Sequence, residues 1–61
     1  MPLTGKQLLK LAQKSGWNHV RTNGSHHILQ KNGQIEIIPV HANKDLGKGL
    51  EQRLLKRLGF K

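Results

Sequence analysis

A repeated Asn-Gly pair, at Asn23-Gly24 and again at Asn32-Gly33, leaves this chain few ways to fold. Each pair is flanked by short segments that can extend, and Asn-Gly favours the type I′ hairpin turn, because that turn needs positive φ at two successive residues. Two hairpins in succession predict three antiparallel strands, which we place at residues 17–22, 25–31 and 34–40. Pro39 closes the third strand, since proline cannot donate a hydrogen bond to a ladder.

Helical signals lie on both sides of the predicted strands. Thr4 and Gln7 have the spacing of a capping box, so we expect a first helix that begins at Gly5 and stops at Gly16. A polar loop, with one turn starting at Asp45, should precede a second helix that ends at Gly59. The leucines that step by four along this second helix are Leu46, Leu50, Leu54 and Leu58.

The order of these elements is α-β-β-β-α, which predicts an α+β fold with a three-stranded antiparallel sheet and two helices packed on one face. With 61 residues, the chain has the length of a single domain, residues 1–61, with a small core. It contains no cysteine, so neither a disulfide nor a thiolate metal site supplements that core. A large enclosed active site is not expected in so small a domain.

Charge points to a polyanionic partner. The sequence contains eleven Lys and Arg residues but only three Asp and Glu residues, so the formal net charge is +8. Each phosphate neutralised by such a residue releases counterions and adds affinity that does not depend on sequence. Composition alone does not distinguish RNA, DNA and an acidic protein. No apolar run suits a membrane span and the first residues do not resemble a signal peptide, so we expect a cytoplasmic protein without membrane contact.

Four histidines are the candidates for acid-base chemistry, because imidazole is the side chain that ordinarily titrates near neutral pH. His26 and His27 follow the first hairpin turn directly, where a side chain can stand at the edge of an exposed sheet face. Alternation along a strand places them on opposite faces. Both are followed two residues later by an apolar residue, Ile28 or Leu29, so this pattern alone does not say which histidine faces solvent.

Metal and nucleophile chemistry are harder to build from these residues. We expect no metal and no cofactor, because no histidine pair has helical spacing and the three carboxylates are scattered. RNA carries its own nucleophile, the 2′-hydroxyl, so one imidazole and nearby cations are enough for cleavage. Arg21, Lys31 and Lys44 are the candidate phosphate contacts in the predicted topology.

Several motifs together resemble the HicA family of toxin-antitoxin toxins over nearly the whole length of the chain. They are Gly24-Ser25-His26-His27, then Ile38-Pro39-Val40-His41, then Asp45-Leu46, Lys48-Gly49-Leu50, Leu54-Leu55-Lys56 and Gly59. The resemblance implies a fold like the double-stranded RNA-binding domain, and activity as an mRNA interferase that cuts transcripts without a metal. It also implies a protein partner, a HicB antitoxin that covers the active site.

The resemblance further implies which residues act. The essential histidine of the family follows Gly-Ser, which falls on His26, with Gly24 and Ser25 positioning it and contacting RNA. His27 is the reserve, since the alignment could shift by one residue. His41 lies in a Pro-x-His element that is either structural or in contact with RNA. Many relatives have an aromatic residue shortly after Gly-Ser-His, where this chain has Leu29.

Two other functions fit the sequence less completely. A double-stranded RNA-binding module without chemistry would share the fold and the charge, but it has no need of His26. A DNA-binding regulator would use the last helix in the major groove, but that helix needs its leucine stripe for the core.

Overall fold

The computed structural model describes residues 3–42 and 44–61 of the chain. Its elements follow in the order helix, three strands and helix. They are α1 (Gly5–Lys14), β1 (Asn18–Asn23), β2 (His26–Lys31), β3 (Gln34–Pro39) and α2 (Lys48–Arg57). The strands form one antiparallel sheet in the order β1-β2-β3. The predicted α+β class and the α-β-β-β-α order, like that of a double-stranded RNA-binding domain, are therefore confirmed.

The start of α1 is set by the predicted capping box. The Thr4 hydroxyl accepts a hydrogen bond from the Gln7 backbone N–H at 3.2 Å, and the Gln7 side-chain oxygen accepts one from the Thr4 N–H at 3.0 Å. These reciprocal bonds satisfy two donors that have no partner inside the helix. After α1, Gly16 turns the chain with φ of +102°, and buried Trp17 donates its indole N–H to the Leu58 carbonyl at 3.2 Å.

The two hairpin turns differ, and the first is not the one predicted. Asn32 and Gly33 both have positive φ, +51° and +81°, as a type I′ turn requires. In the first hairpin Asn23 pairs with His26, so the two turn residues are Gly24 and Ser25. Gly24 alone has positive φ there, +63°, which is the pattern of a type II′ turn. The prediction of a type I′ turn at Asn23-Gly24 was wrong because Asn23 remains in the strand.

The beginning of α2 also differs from the prediction. Asp45 does not start a turn of helix; it forms an isolated antiparallel bridge with Thr4. Leu46 lies before the helix, and its N–H donates to the Leu3 carbonyl at 2.9 Å. Gly47 follows with φ of +88°, a conformation that interrupts a helix, so α2 begins at Lys48. The tertiary bridge to the N-terminal segment therefore outweighs the leucine periodicity at this point.

The core lies between one face of the sheet and the two helices. Among the described residues, seven apolar side chains are buried in it, namely Leu8, Ala12, Trp17, Leu29, Ile38, Leu54 and Leu58. Both helices contribute to this cluster, so they cover the same face, as predicted. The other sheet face is left to solvent, and this arrangement makes it available to a large ligand.

A close approach between α1 and the end of β3 fixes one helix on the sheet. Gly5 is buried, and a methyl group added there would overlap the carbonyl oxygen of Pro39 and press against Val40. Glycine therefore allows the helix to begin directly against the end of β3. In residues 3–42 and 44–61, no helix has both the length and the apolar character needed to cross a bilayer.

Candidate nucleic-acid interface

The solvent-facing side of the sheet, called the open face below, is identified by the residues that face the core. Leu29 of β2 and Ile38 of β3 are completely buried beneath the helices. Because side chains alternate along a strand, their neighbours point the other way. The open face is therefore formed by Asn18, Arg21, Asn23, His26, Ile28, Gln30, Ile35, Ile37 and Pro39.

His26 stands on the open face at the first position of β2. Its side chain is exposed, and in the sheet register it lies between Asn23 of β1 and Pro39 of β3. The preceding turn is held to the residue that follows β3, because the Ser25 carbonyl accepts a hydrogen bond from the Val40 N–H at 2.8 Å. Backbone contacts on both sides thus position an exposed imidazole at one end of the sheet.

Among the predicted phosphate contacts, Arg21 shares this face with His26. Arg21 pairs with Ile28, the residue two positions after His26 on β2, and it is exposed. Cross-strand partners have adjacent side chains on the same face of a sheet. Arg21 therefore lies diagonally across the β1–β2 hairpin from His26, on the same face of the sheet.

Lys31, another of the predicted phosphate contacts, lies on the other face of the sheet from His26. It is the last residue of β2, on the face of Leu29, and its ammonium group donates to the Ser15 carbonyl at 2.9 Å. Strand alternation and the length of β2 separate it from His26. The predicted topology did not show that this lysine would bind the end of α1.

His41 and Lys44 lie in the segment that follows β3. Both are exposed, and the Lys44 N–H donates to the His41 carbonyl at 3.0 Å. Because the Val40 N–H is bonded to Ser25, this segment starts beside the first hairpin turn. Both side chains therefore belong to the end of the molecule that carries His26.

His27 lies on the opposite face from His26, where it joins a cluster that sequence analysis missed. Its Nδ1 is 3.3 Å from Nε2 of His19 and 3.4 Å from the hydroxyl oxygen of Thr22, which is 3.0 Å from the same His19 nitrogen. We call His19, Thr22 and His27 the histidine cluster. A register shift between His19 and Arg21 brings His19 and Thr22 to one face, and nothing in the sequence announced it.

Exposed isoleucines are a second feature that the sequence did not identify. Ile35 and Ile37 are 59% and 49% exposed on the open face. Their alternation with Glu36 was visible in the sequence. The adjacent apolar pair of Ile37 and Ile38, however, left the buried face undecided until packing showed Ile38 in the core.

Glu36 is buried, and its side chain lies on the core side of the sheet, not on the open face. Its carboxylate accepts a hydrogen bond from Arg57 at 2.7 Å and one from the Gln34 amide at 3.2 Å. The bond from Arg57 is the main reason why the pKa of Glu36 lies below its ordinary value, while burial acts in the opposite direction. The pKa of Arg57 is raised by the same hydrogen bond. Glu36 is thus an ionised partner of Arg57 beneath the sheet.

Two other features of the surface bear on the chemistry. Across residues 3–42 and 44–61, no group of three or more His, Cys, Asp and Glu side chains is arranged to hold a metal. A groove of about 370 Å³ runs between β3 and α2. It is lined by Ile35, Glu36, Ile37, Leu50, Arg53, Leu54 and Arg57, and His26 is not part of it.

Two comparisons with known proteins identify the same family. The family model described as the HicA toxin of bacterial toxin-antitoxin systems matches residues 5–60. A relative named "Probable mRNA interferase HicA", from Pseudomonas fluorescens (strain Pf0-1), is 40% identical over 38 residues. That match covers 62% of this chain and 63% of the relative, slightly less than two thirds of its length. No solved structure matches the chain.

Proposed function

The chain belongs to the HicA toxin family, and we propose that it is an endoribonuclease that cleaves mRNA without a metal, with His26 as the acid-base group. The observation that carries this proposal is the exposed imidazole of His26 on the open face, beside Arg21 and next to the Gly24-Ser25 turn. The printed name of the Pseudomonas relative, an mRNA interferase, supports the same activity.

The reaction needs few protein groups because RNA supplies the nucleophile. His26 accepts the proton of a 2′-hydroxyl, and the resulting 2′-oxygen attacks the adjacent phosphorus. The bond from phosphorus to the 5′-oxygen then breaks, and that oxygen takes a proton from solvent. The products are a 2′,3′-cyclic phosphate and a 5′-hydroxyl. One positioned imidazole contributes about 10²- to 10⁴-fold to such a rate.

Positive charge serves both binding and the transition state. The net charge of +8 favours binding of any polyanion. Arg21 has a more specific role, because it lies on the open face opposite Ile28, two residues along β2 from His26. A guanidinium group can form two parallel hydrogen bonds to a phosphate, so it stabilises the negative charge that develops at phosphorus. Gly24, Ser25, His41 and Lys44 complete the proposed RNA contact at this end of the sheet.

We also propose a HicB-type antitoxin that covers the open face in the cytoplasm. The exposed Ile35 and Ile37 side chains offer an apolar centre for a protein interface, and the surrounding cations suit an acidic partner. Such a partner would cover His26 as well, since all three side chains lie on one face. Growth arrest on induction, relieved by the neighbouring gene, would support this assignment.

RNA cleavage in EDTA tests the enzymatic proposal most directly. Purified wild-type protein is incubated with a long single-stranded transcript, and the ends of the fragments are identified chemically. We expect fragments with a 2′,3′-cyclic phosphate from the wild type, and far fewer of them over the same time from His26→Ala. Binding of RNA without cleavage by soluble wild-type protein would instead support the double-stranded RNA-binding module as the function of this fold.

A further inference from the structure

The histidine cluster has the geometry of a binding site for a late first-row divalent cation, and we propose that it binds Zn²⁺. Tetrahedral zinc with Zn–N bonds of about 2.0–2.1 Å places two ligand nitrogens about 3.3–3.4 Å apart. Nε2 of His19 and Nδ1 of His27 are 3.3 Å apart.

The fold brings these two ligands together across the β1–β2 hairpin. Thr22 is the register partner of His27, and the irregularity after His19 turns the His19 ring toward the same spot. The ring centroids are 5.0 Å apart, their planes are tilted by 34°, and one nitrogen of each ring lies 3.3 Å from the other. The two ligands therefore lie on neighbouring strands. A search of the sequence for helical histidine pairs or cysteine motifs does not find such a site.

Access and charge also permit a cation here. His19 is exposed and His27 is half-buried, so an ion can reach both rings from solvent. The Thr22 hydroxyl is close enough to hydrogen-bond a water that completes the coordination. Two nearby cations point away from the cluster, since Arg21 lies on the open face and the Lys31 ammonium group is bonded to the Ser15 carbonyl. The remaining repulsion from the net charge is screened by salt beyond about 8 Å.

A bound ion would join β1 to β2 on the face away from His26. It would link the two strands whose turn contains Gly24 and Ser25. It would also stabilise the folded chain by an amount that grows with the logarithm of the zinc concentration above the Kd. The site is thus separate from the proposed ribonuclease site. Loss of one activity does not require loss of the other, since the two sites use different histidines on different faces.

Zinc binding to the metal-stripped full chain tests this proposal. We expect saturable binding by calorimetry, a visible spectrum typical of tetrahedral coordination when Co²⁺ replaces Zn²⁺, and a higher melting temperature in zinc. His19→Ala should weaken binding by about 10-fold or more, because one of the two protein ligands is removed. His27→Ala should do the same.

Two histidine variants outside the cluster serve as matched controls. His26→Ala and His41→Ala should bind zinc as the wild type does, and the first of these also separates zinc binding from RNA cleavage. Absence of zinc binding by folded wild-type protein would overturn the proposal. So would zinc binding that His19→Ala leaves unchanged, because the cluster would then be a hydrogen-bonded pair of imidazoles and nothing more.

Discussion

His26 and His27 are adjacent in the chain and lie on opposite faces of the sheet. His26 is exposed on the open face opposite Pro39, whereas His27 pairs with Ile38 and contacts His19 on the face that carries the core. One strand therefore presents two imidazoles to two separate environments. An RNA strand bound on the open face meets the first of them and not the second.

This separation makes the two alanine variants a matched pair for RNA cleavage. His26→Ala should lower the cleavage rate by about 10²- to 10⁴-fold, because the proposed proton acceptor is gone. His27→Ala should cleave at close to the wild-type rate in EDTA. Rates from a gel time course, with circular dichroism to verify folding, provide the measurement. The reverse pattern would move the active site to the histidine cluster.

Arg21 and Lys31 form a second matched pair, now for RNA affinity. Arg21→Gln should weaken binding and reduce the slope of log affinity against log salt by about 0.7 for each phosphate that the protein no longer neutralises. Lys31→Gln removes the same charge on the other face, where the lysine binds the Ser15 carbonyl, and should have a smaller effect. Fluorescence anisotropy at several salt concentrations, in a His26→Ala background, measures both. Equal reductions in affinity would show that net charge alone drives binding.

Two glycines in helices should respond in opposite ways to alanine. At Gly5 the added methyl group meets the Pro39 carbonyl, so overpacking should cost about 1–3 kcal/mol and exceed the gain in helix propensity of at most about 1 kcal/mol. At Gly49, in α2, the added group meets no atom within 4 Å other than the adjacent residues and the backbone of the same helix, so alanine should stabilise the protein by up to about 1 kcal/mol. Urea unfolding measures both changes. A stabilised Gly5→Ala variant would contradict the close packing of α1 on β3.

The Glu36–Arg57 pair should make stability depend on pH in acid. The pKa of Glu36 is lowered in the folded protein from an ordinary value of 4.5, chiefly by the hydrogen bond from Arg57. Its contribution to stability is therefore present above pH 4.5 and is lost as the pH falls through the folded-state pKa.

Glu36→Gln isolates that contribution. The variant should be less stable than the wild type at neutral pH, and the difference should shrink as the pH falls, because the wild-type carboxylate then becomes protonated. Free energies of unfolding from urea titrations across an acidic pH series provide the comparison. A difference that stays constant over the series would mean that the pair adds no stability through ionisation.

Ile37 and Leu11 are comparably exposed but lie on different surfaces. Substitutions at these two residues therefore test whether the antitoxin binds the open face or the surface of α1. Ile37 is 49% exposed on the sheet and Leu11 is 42% exposed on α1. Ile37→Glu should weaken binding of the proposed HicB-type antitoxin by about tenfold or more, because it puts a charge in the apolar centre of the proposed interface. Leu11→Glu should leave binding unchanged. Co-purification and titration calorimetry measure both, and equal effects would argue that the antitoxin binds elsewhere.

The order of the elements and the position of most boundaries were readable from local signals. The capping box at Thr4 and Gln7 marked the start of α1, and Asn32-Gly33 formed the turn that its residue types favour. These signals work because they involve atoms only a few residues apart. The prediction did not hold where distant contacts compete, as at Asp45, where bridging to Thr4 replaced the expected turn.

Which side chain faces which way was decided by packing. Ile28 and Leu29 are equally apolar, so alternation allowed either His26 or His27 to face solvent, and the burial of Leu29 under the helices resolved the choice. The contact between His19 and His27 depends on the irregularity in β1 and on the register between β1 and β2. Neither feature can be predicted from the sequence. Local chemistry was enough to specify the strands, whereas the face that each strand buries depends on helices that lie far from it in the chain.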